Sequence, residues 1–263
     1  MRAIWEREMK SSFGSFIIWI LAVGVMGLAC ILMYASMEDS IQEMADSFAS
    51  MGSFADAFGM NTLSIATLSG YFATEIGTIH GLGSGMFAAA VSITILSKEE
   101  TGHSAEFLMA LPVSRQKVVT AKALTVLAEL ILFNGLCGLM YAAGFGILRE
   151  EIMVNEFMTF VAMQLLMNVE IASICFLISA ASKDNKLGVG MGAALMLYLY
   201  DLMARVVPAL EDGAFITPYS FTNGPEIFAG QEMKSTAIIL GTIVIILCVT
   251  GSYIWYSKRD LKS

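Results

Sequence analysis

The chain has 263 residues, 57% of them apolar and 14% charged, with a formal net charge of −8 and a mean hydropathy of +0.71. Soluble domains average about 45–50% apolar and about 25% charged. The composition therefore excludes a soluble globule of this size, a disordered chain and, through its negative charge, a nucleic-acid binder. What fits is an all-α, polytopic membrane protein, one domain over residues 1–263.

A helix crossing about 30 Å of hydrocarbon needs roughly 20 apolar residues. Residues 16–34 carry no charge, and 76–96 carry none beyond His80. Glu129 is the one charge between Lys122 and Arg149, which gives a span over 123–148. Glu170 is alone between Glu156 and Lys183, giving 157–182; 187–204 holds only Asp201, and 235–257 holds no charge. These are six transmembrane helices, and an even number puts both termini on one side. That side is read from lysine and arginine. The segments before span 1, between spans 2 and 3, between spans 4 and 5, and after span 6 hold 12 of the 15 basic residues. Both termini are therefore expected in the cytoplasm of a multi-pass plasma-membrane protein. The outer loop 37–69 is acidic, with Glu38, Asp39, Glu43, Asp46 and Asp56, and Met44, Phe48, Met51, Ala55 and Phe58 recur at helical spacing within it. The loop 206–234, with Pro208, Pro218 and Pro225, has apolar pieces too short to span and is expected to pack against protein.

The residue types of several chemistries are missing. The four cysteines lie in apolar stretches, and two histidines without an HExxH pattern give zinc no site. No lysine follows a glycine, so no P-loop exists. No metal or cofactor is expected in this chain. Gly77, Gly81 and Gly85 line one helix face, as do Gly188 and Gly192; both patterns suit close helix packing, and the second is assigned to a dimer contact. Four carboxylates fall within spans: Glu75, Glu129, Glu170 and Asp201. An ionised group at a helix centre costs about 2.5–3.5 kcal/mol, so each is expected to face protein or water, and together they are the candidate translocation path. For Glu170, the most central, a hydrogen bond to a neighbour such as Asn134 or Asn168 is the structural alternative.

Between spans 2 and 3, residues 104–111 form a short helix with Ala105, Leu108 and Leu111, stopped by Pro112, before Ser114 caps the next helix. Apolar residues on a short surface helix between two spans ask for a protein partner. Glu99-x-x-Gly102, followed by Glu106-Phe107-Leu108-x-x-Leu111-Pro112-Val113-Ser114-Arg115 and Lys122, resembles this stretch in ATP-binding-cassette exporter permeases of the second exporter superfamily, the type V fold. The runs Phe58-Gly59, Ser69-Gly70-Tyr71-Phe72-x-x-Glu75 and Tyr256-Ser257-x-Arg259-Asp260-Leu261 are similar to the same family; His103-Ser104 departs from it.

The resemblance implies a permease subunit that forms the translocation path, dimerises with itself or a second permease, and exports its substrate. ATP and Mg would belong to a separate cytoplasmic ATPase, so the chain itself is not an enzyme. It also implies a coupling helix, assigned to Glu99, Glu100, Gly102, Glu106, Leu108, Leu111, Pro112 and Arg115. A short N-terminal amphipathic helix over 3–13, with Trp5 and Met9 on one face, would lie along the membrane lipid. Two other readings stay open: an intramembrane enzyme using Glu170 or Asp201, and a non-transporting sensor or assembly factor of the same fold. The topology has a direct test with single cysteines in a cysteine-free background. An impermeant maleimide should label Ser47→Cys in intact cells and reach Ser263→Cys only after lysis; labelling of both before lysis would refute it.

Overall fold

The computed structural model describes residues 1–49, 52, 55, 57–60, 62–102 and 113–258, with the side chains of 38, 39, 42–44 and 46–49 outside the description. All regular structure among these residues is helical. In hydrocarbon every backbone N–H and C=O must find a partner within its own segment, which leaves helix as the available form for apolar segments of this length.

The first spanning stretch runs unbroken from α1 (Arg2–Trp19) through a π-helical turn (Ile20–Val25) into α2 (Met26–Ala49). The second enters as α3 (Leu68–Tyr71), passes a second π turn (Phe72–Ile76) and continues as α4 (Gly77–Ile93). A single turn, α5 (Lys98–Thr101), precedes α6 (Arg115–Leu148), α7 (Val154–Ala181) and α8 (Leu187–Ala204). The next connection folds as α9 (Pro208–Glu211), two 3-10 turns (Ala214–Ile216 and Pro218–Phe221) and α10 (Gly224–Phe228) before α11 (Ser235–Lys258). Among the described residues six stretches are long and apolar enough to cross a membrane, matching the six spans read from sequence.

The second and third spanning stretches begin well before the charge-based limits, at Leu68 and Arg115, because caps rather than charges start them. The Ser114 hydroxyl accepts the Lys117 N–H at 3.4 Å, as expected from sequence. Thr67 Oγ1 accepts the Gly70 N–H at 3.1 Å, and Asn185 Oδ1 accepts the Leu187 N–H at 2.9 Å. α6 closes on Arg149, whose φ of 58° is left-handed. Two local expectations change in detail. Residues 3–13 are helical but run without a break into span 1, and α1 packs along α6; its buried face is Ile4 and Glu8, while Trp5 is exposed. The helical spacing read from Met44 onward belongs, as far as Ala49, to the continuation of α2.

α7 is the central helix, packed on α4 and α11, while α6 bridges α1, α2 and α7. α8 is held mainly by α4, which leaves much of its surface uncovered. The fully buried Phe72 organises the core. Its ring centroid lies 5.5–5.7 Å from those of Tyr141, Phe145, Phe157, Phe160 and Phe228, so one side chain joins the second π turn to α6, α7 and α10. Such aromatic pairs contribute about 0.5–1.5 kcal/mol each beyond simple burial. The connection 206–234 tucks Tyr219, Phe221, Ile227 and Phe228 into the bundle, as its proline-rich sequence suggests.

Within this connection Gly224 packs directly on backbone, where an added Cβ would stand 3.0 Å from the Ala73 carbonyl carbon and closer still to its oxygen. A backbone neighbour cannot swing aside. Gly224→Ala should therefore destabilise the fold by about 1–3 kcal/mol, seen as a lower thermal midpoint in detergent. Gly135→Ala, where nothing lies within 4 Å, should not lower the midpoint.

Candidate functional site

The end of the bundle that carries α5 and the start of α6 contains a buried knot of charge. Lys122, on α6, has no exposed surface. Its ammonium lies 2.6 Å from Glu99 Oε1 and 3.5 Å from Glu8 Oε1, and it donates to the Ile95 carbonyl. Glu8, 2% exposed on α1, also pairs with Lys98 through Oε2. One turn along α1, Ser12 donates to Glu129 Oε1 on α6. Three elements that meet nowhere in sequence are thus joined: the N-terminal helix, the turn α5 and the first turns of span 3. Ordering long side chains here is compensated because the ammonium would otherwise be an unpaired buried ion, which costs several kcal/mol.

The knot sits at the root of the segment assigned to coupling. Glu99 and Glu100 are buried, Gly102 is exposed, and Arg115 is half-buried with its guanidinium 3.5 Å from the Ser257 carbonyl on α11. Glu106, Leu108, Leu111 and Pro112 lie outside the described residues. Sequence reasoning missed Glu8, Ser12 and Lys98. The available signal was a carboxylate at position 8 in line with Ile4, one turn apart on the same face.

The four span carboxylates are not brought together within this chain. Glu129 belongs to the knot. Asp201 is buried on α8 and accepts from Arg205 through Nε at 3.0 Å and Nη2 at 2.5 Å. This pair lines a small cavity, about 30 Å³, with Gln164, Tyr198, Tyr219 and Asn223. That is room for one or two waters and nothing larger. Glu75 is half-buried on the second π turn. Glu170 faces α11, where a Cβ on Gly241 would stand 3.0 Å from its carboxyl carbon; its Oε2 has no hydrogen-bond partner among the described residues.

Asn134 and Asn168, the neighbours considered for Glu170, are engaged with each other instead. Asn168 Nδ2 donates to Asn134 Oδ1 at 3.3 Å, and His80 Nε2 lies 3.1 Å from the same oxygen. An amide oxygen only accepts, so Nε2 carries the proton and Nδ1 accepts from the Tyr141 hydroxyl at 3.0 Å. His80 is thus a satisfied core residue linking spans 2, 3 and 4. Among the described residues no group of His, Cys, Asp or Glu is arranged to hold a metal. Gly77 and Gly81 face Phe160 and Gln164 of α7, and Gly85 faces Tyr219, so that face is occupied within the chain. Gly188 and Gly192 have nothing within 4 Å.

Lys122→Met strands two buried carboxylates, and removing one partner of a buried pair costs about 3–5 kcal/mol. The thermal midpoint in detergent should fall accordingly. Adding Glu99→Gln to that background should recover part of the loss, and additive effects of the two substitutions would mean that the pair does not interact.

A family model described as ABC-2 family transporter protein matches residues 2–261, nearly the whole chain. No curated protein and no solved structure matches. Six membrane-crossing helices and a family match over this length make the chain a multi-pass membrane subunit rather than a catalytic enzyme, and it belongs to the ABC-2 transporter family.

Proposed function

We propose that this chain is the permease subunit of an ABC exporter in the cell membrane, with both termini in the cytoplasm. A separate ATPase docks on residues 104–111 and supplies ATP and Mg chemistry, and two permeases, alike or different, enclose the path. The buried knot is the observation that supports this reading most. The docking segment leaves α5 and returns to α6, and Lys122 joins those two elements to each other and to α1. A push on the segment is therefore passed to spans 1 and 3 without slack. The open Gly188 and Gly192 face of α8 is the surface that supports a dimer. The narrow cavity at Asp201 is consistent with an outer end closed between transport cycles.

The enzyme reading has less support, since Glu170 and Asp201 lie on different surfaces and Asp201 is tied to Arg205. Replacing both Leu108 and Leu111 with aspartate should abolish copurification of the ATPase while the permease still inserts. Full retention of the ATPase would overturn the docking assignment.

A further inference from the structure

Spans 3, 4 and 6 enclose an apolar groove that none of the features above uses. It has a volume of about 280 Å³, with walls of Leu124 and Leu127 on α6 and Ile245 and Val249 on α11, and a floor that includes Val169 and Phe176 of α7. Leu124 and Leu127 are 46% and 40% exposed, so the groove opens sideways out of the bundle, toward lipid. On α6 the lining extends from Thr120 to Leu130, about 15 Å at 1.5 Å per residue. That is half of the roughly 30 Å hydrocarbon thickness, the depth of one leaflet.

The groove ends at the same end of the bundle as the charge knot. Tyr253 and Thr120 close it with hydroxyls 2.8 Å apart; Thr120 passes its own proton to the Gln116 carbonyl at 2.9 Å, so Tyr253 is the donor between them. The apolar lining stops at this pair. One turn further, Lys117 stands on the same stripe of α6 as Thr120, Leu124 and Leu127, at spacings of three, seven and ten residues. Lys117 is exposed and has no ion-pair partner among the described residues. A one-leaflet apolar slot, a polar rim, then a cation is the order of parts along a phospholipid: acyl chain, ester region, phosphate.

We propose that this groove binds one acyl chain of an anionic phospholipid from the leaflet at the basic end, with Lys117 holding the headgroup phosphate. Charge complementarity selects the lipid, and the three-helix wall selects its position. Bound there, the lipid bridges spans 3 and 6 beside the Arg115–Ser257 contact.

The test is native mass spectrometry of the purified full chain, with its ATPase where that is bound, in neutral detergent with equimolar phosphatidylglycerol and phosphatidylcholine. The wild type should retain phosphatidylglycerol over phosphatidylcholine by roughly fivefold, the factor one lysine contributes at an anionic surface. Lys117→Gln, an exposed change, should bring the ratio near one while lipid is still retained. Ala123→Phe, which fills the groove, should remove the retained lipid from a chain whose thermal midpoint shows it folded. Equal retention of both lipids by the wild type would overturn the proposal, as would an unchanged ratio in Lys117→Gln. Unchanged lipid retention with loss of a dimer in Ala123→Phe would give the groove to a second copy and would equally overturn it. Should Ala123→Phe fail to fold, the Lys117→Gln ratio alone decides.

Discussion

A lysine ammonium with no exposed surface sits where three helical elements meet, and the organisation of one end of the protein follows from its need for counter-charge. Lys122 cannot remain ionised in a protein interior without partners, and its partners come from far along the chain: Glu8 and Glu99. Those two carboxylates in turn fix α1 and α5. Lys98 binds the second oxygen of Glu8, so the N-terminal helix is gripped from both sides. A hydrophobic contact could also have held these helices together, but it would tolerate sliding. Ion pairs at 2.6–3.5 Å tolerate little, because a displaced partner leaves a buried charge behind.

The spans were legible because hydrocarbon imposes one rule, about 20 apolar residues per crossing, and the sequence obeys it six times. The Ser114 cap was legible for the same kind of reason: one residue type at one position satisfies one free N–H. The charge knot was not. The alignment of Glu8 with Ile4 marks a face of α1, but that face names no partner, and Glu8 otherwise reads like Glu6, which pairs with Arg2 in solvent. Only tertiary contacts more than 80 residues apart give position 8 its role.

The carboxylates show a further limit of hydropathy. Glu129, Glu170 and Asp201 all stand in long apolar stretches, and a depth argument treats them alike. What separates them is the direction around the helix: toward α1 for Glu129, toward α11 for Glu170, and into a small cavity beside Arg205 for Asp201. Their common placement in apolar sequence therefore described their burial and said nothing of their company. The same holds for His80, whose two partners on α6, Tyr141 and Asn134, with Asn134 bonded on to Asn168 of α7, make it part of a polar seam through the core.

The π turn at Ile20–Val25 also sets the phase of everything before it. An α-helix advances about 100° per residue, so one residue added to or lost from this turn rotates α1 by roughly that angle relative to α2. Glu8 and Ser12 would then point away from Lys122 and Glu129, although every hydrophobic residue of the span survived. Chain length between Trp19 and Met26 is thus fixed by an angle rather than by membrane thickness. Substitutions at its lipid-facing positions, such as Leu21 and Val25, meet a lenient solvent, while insertions and deletions meet a strict clock.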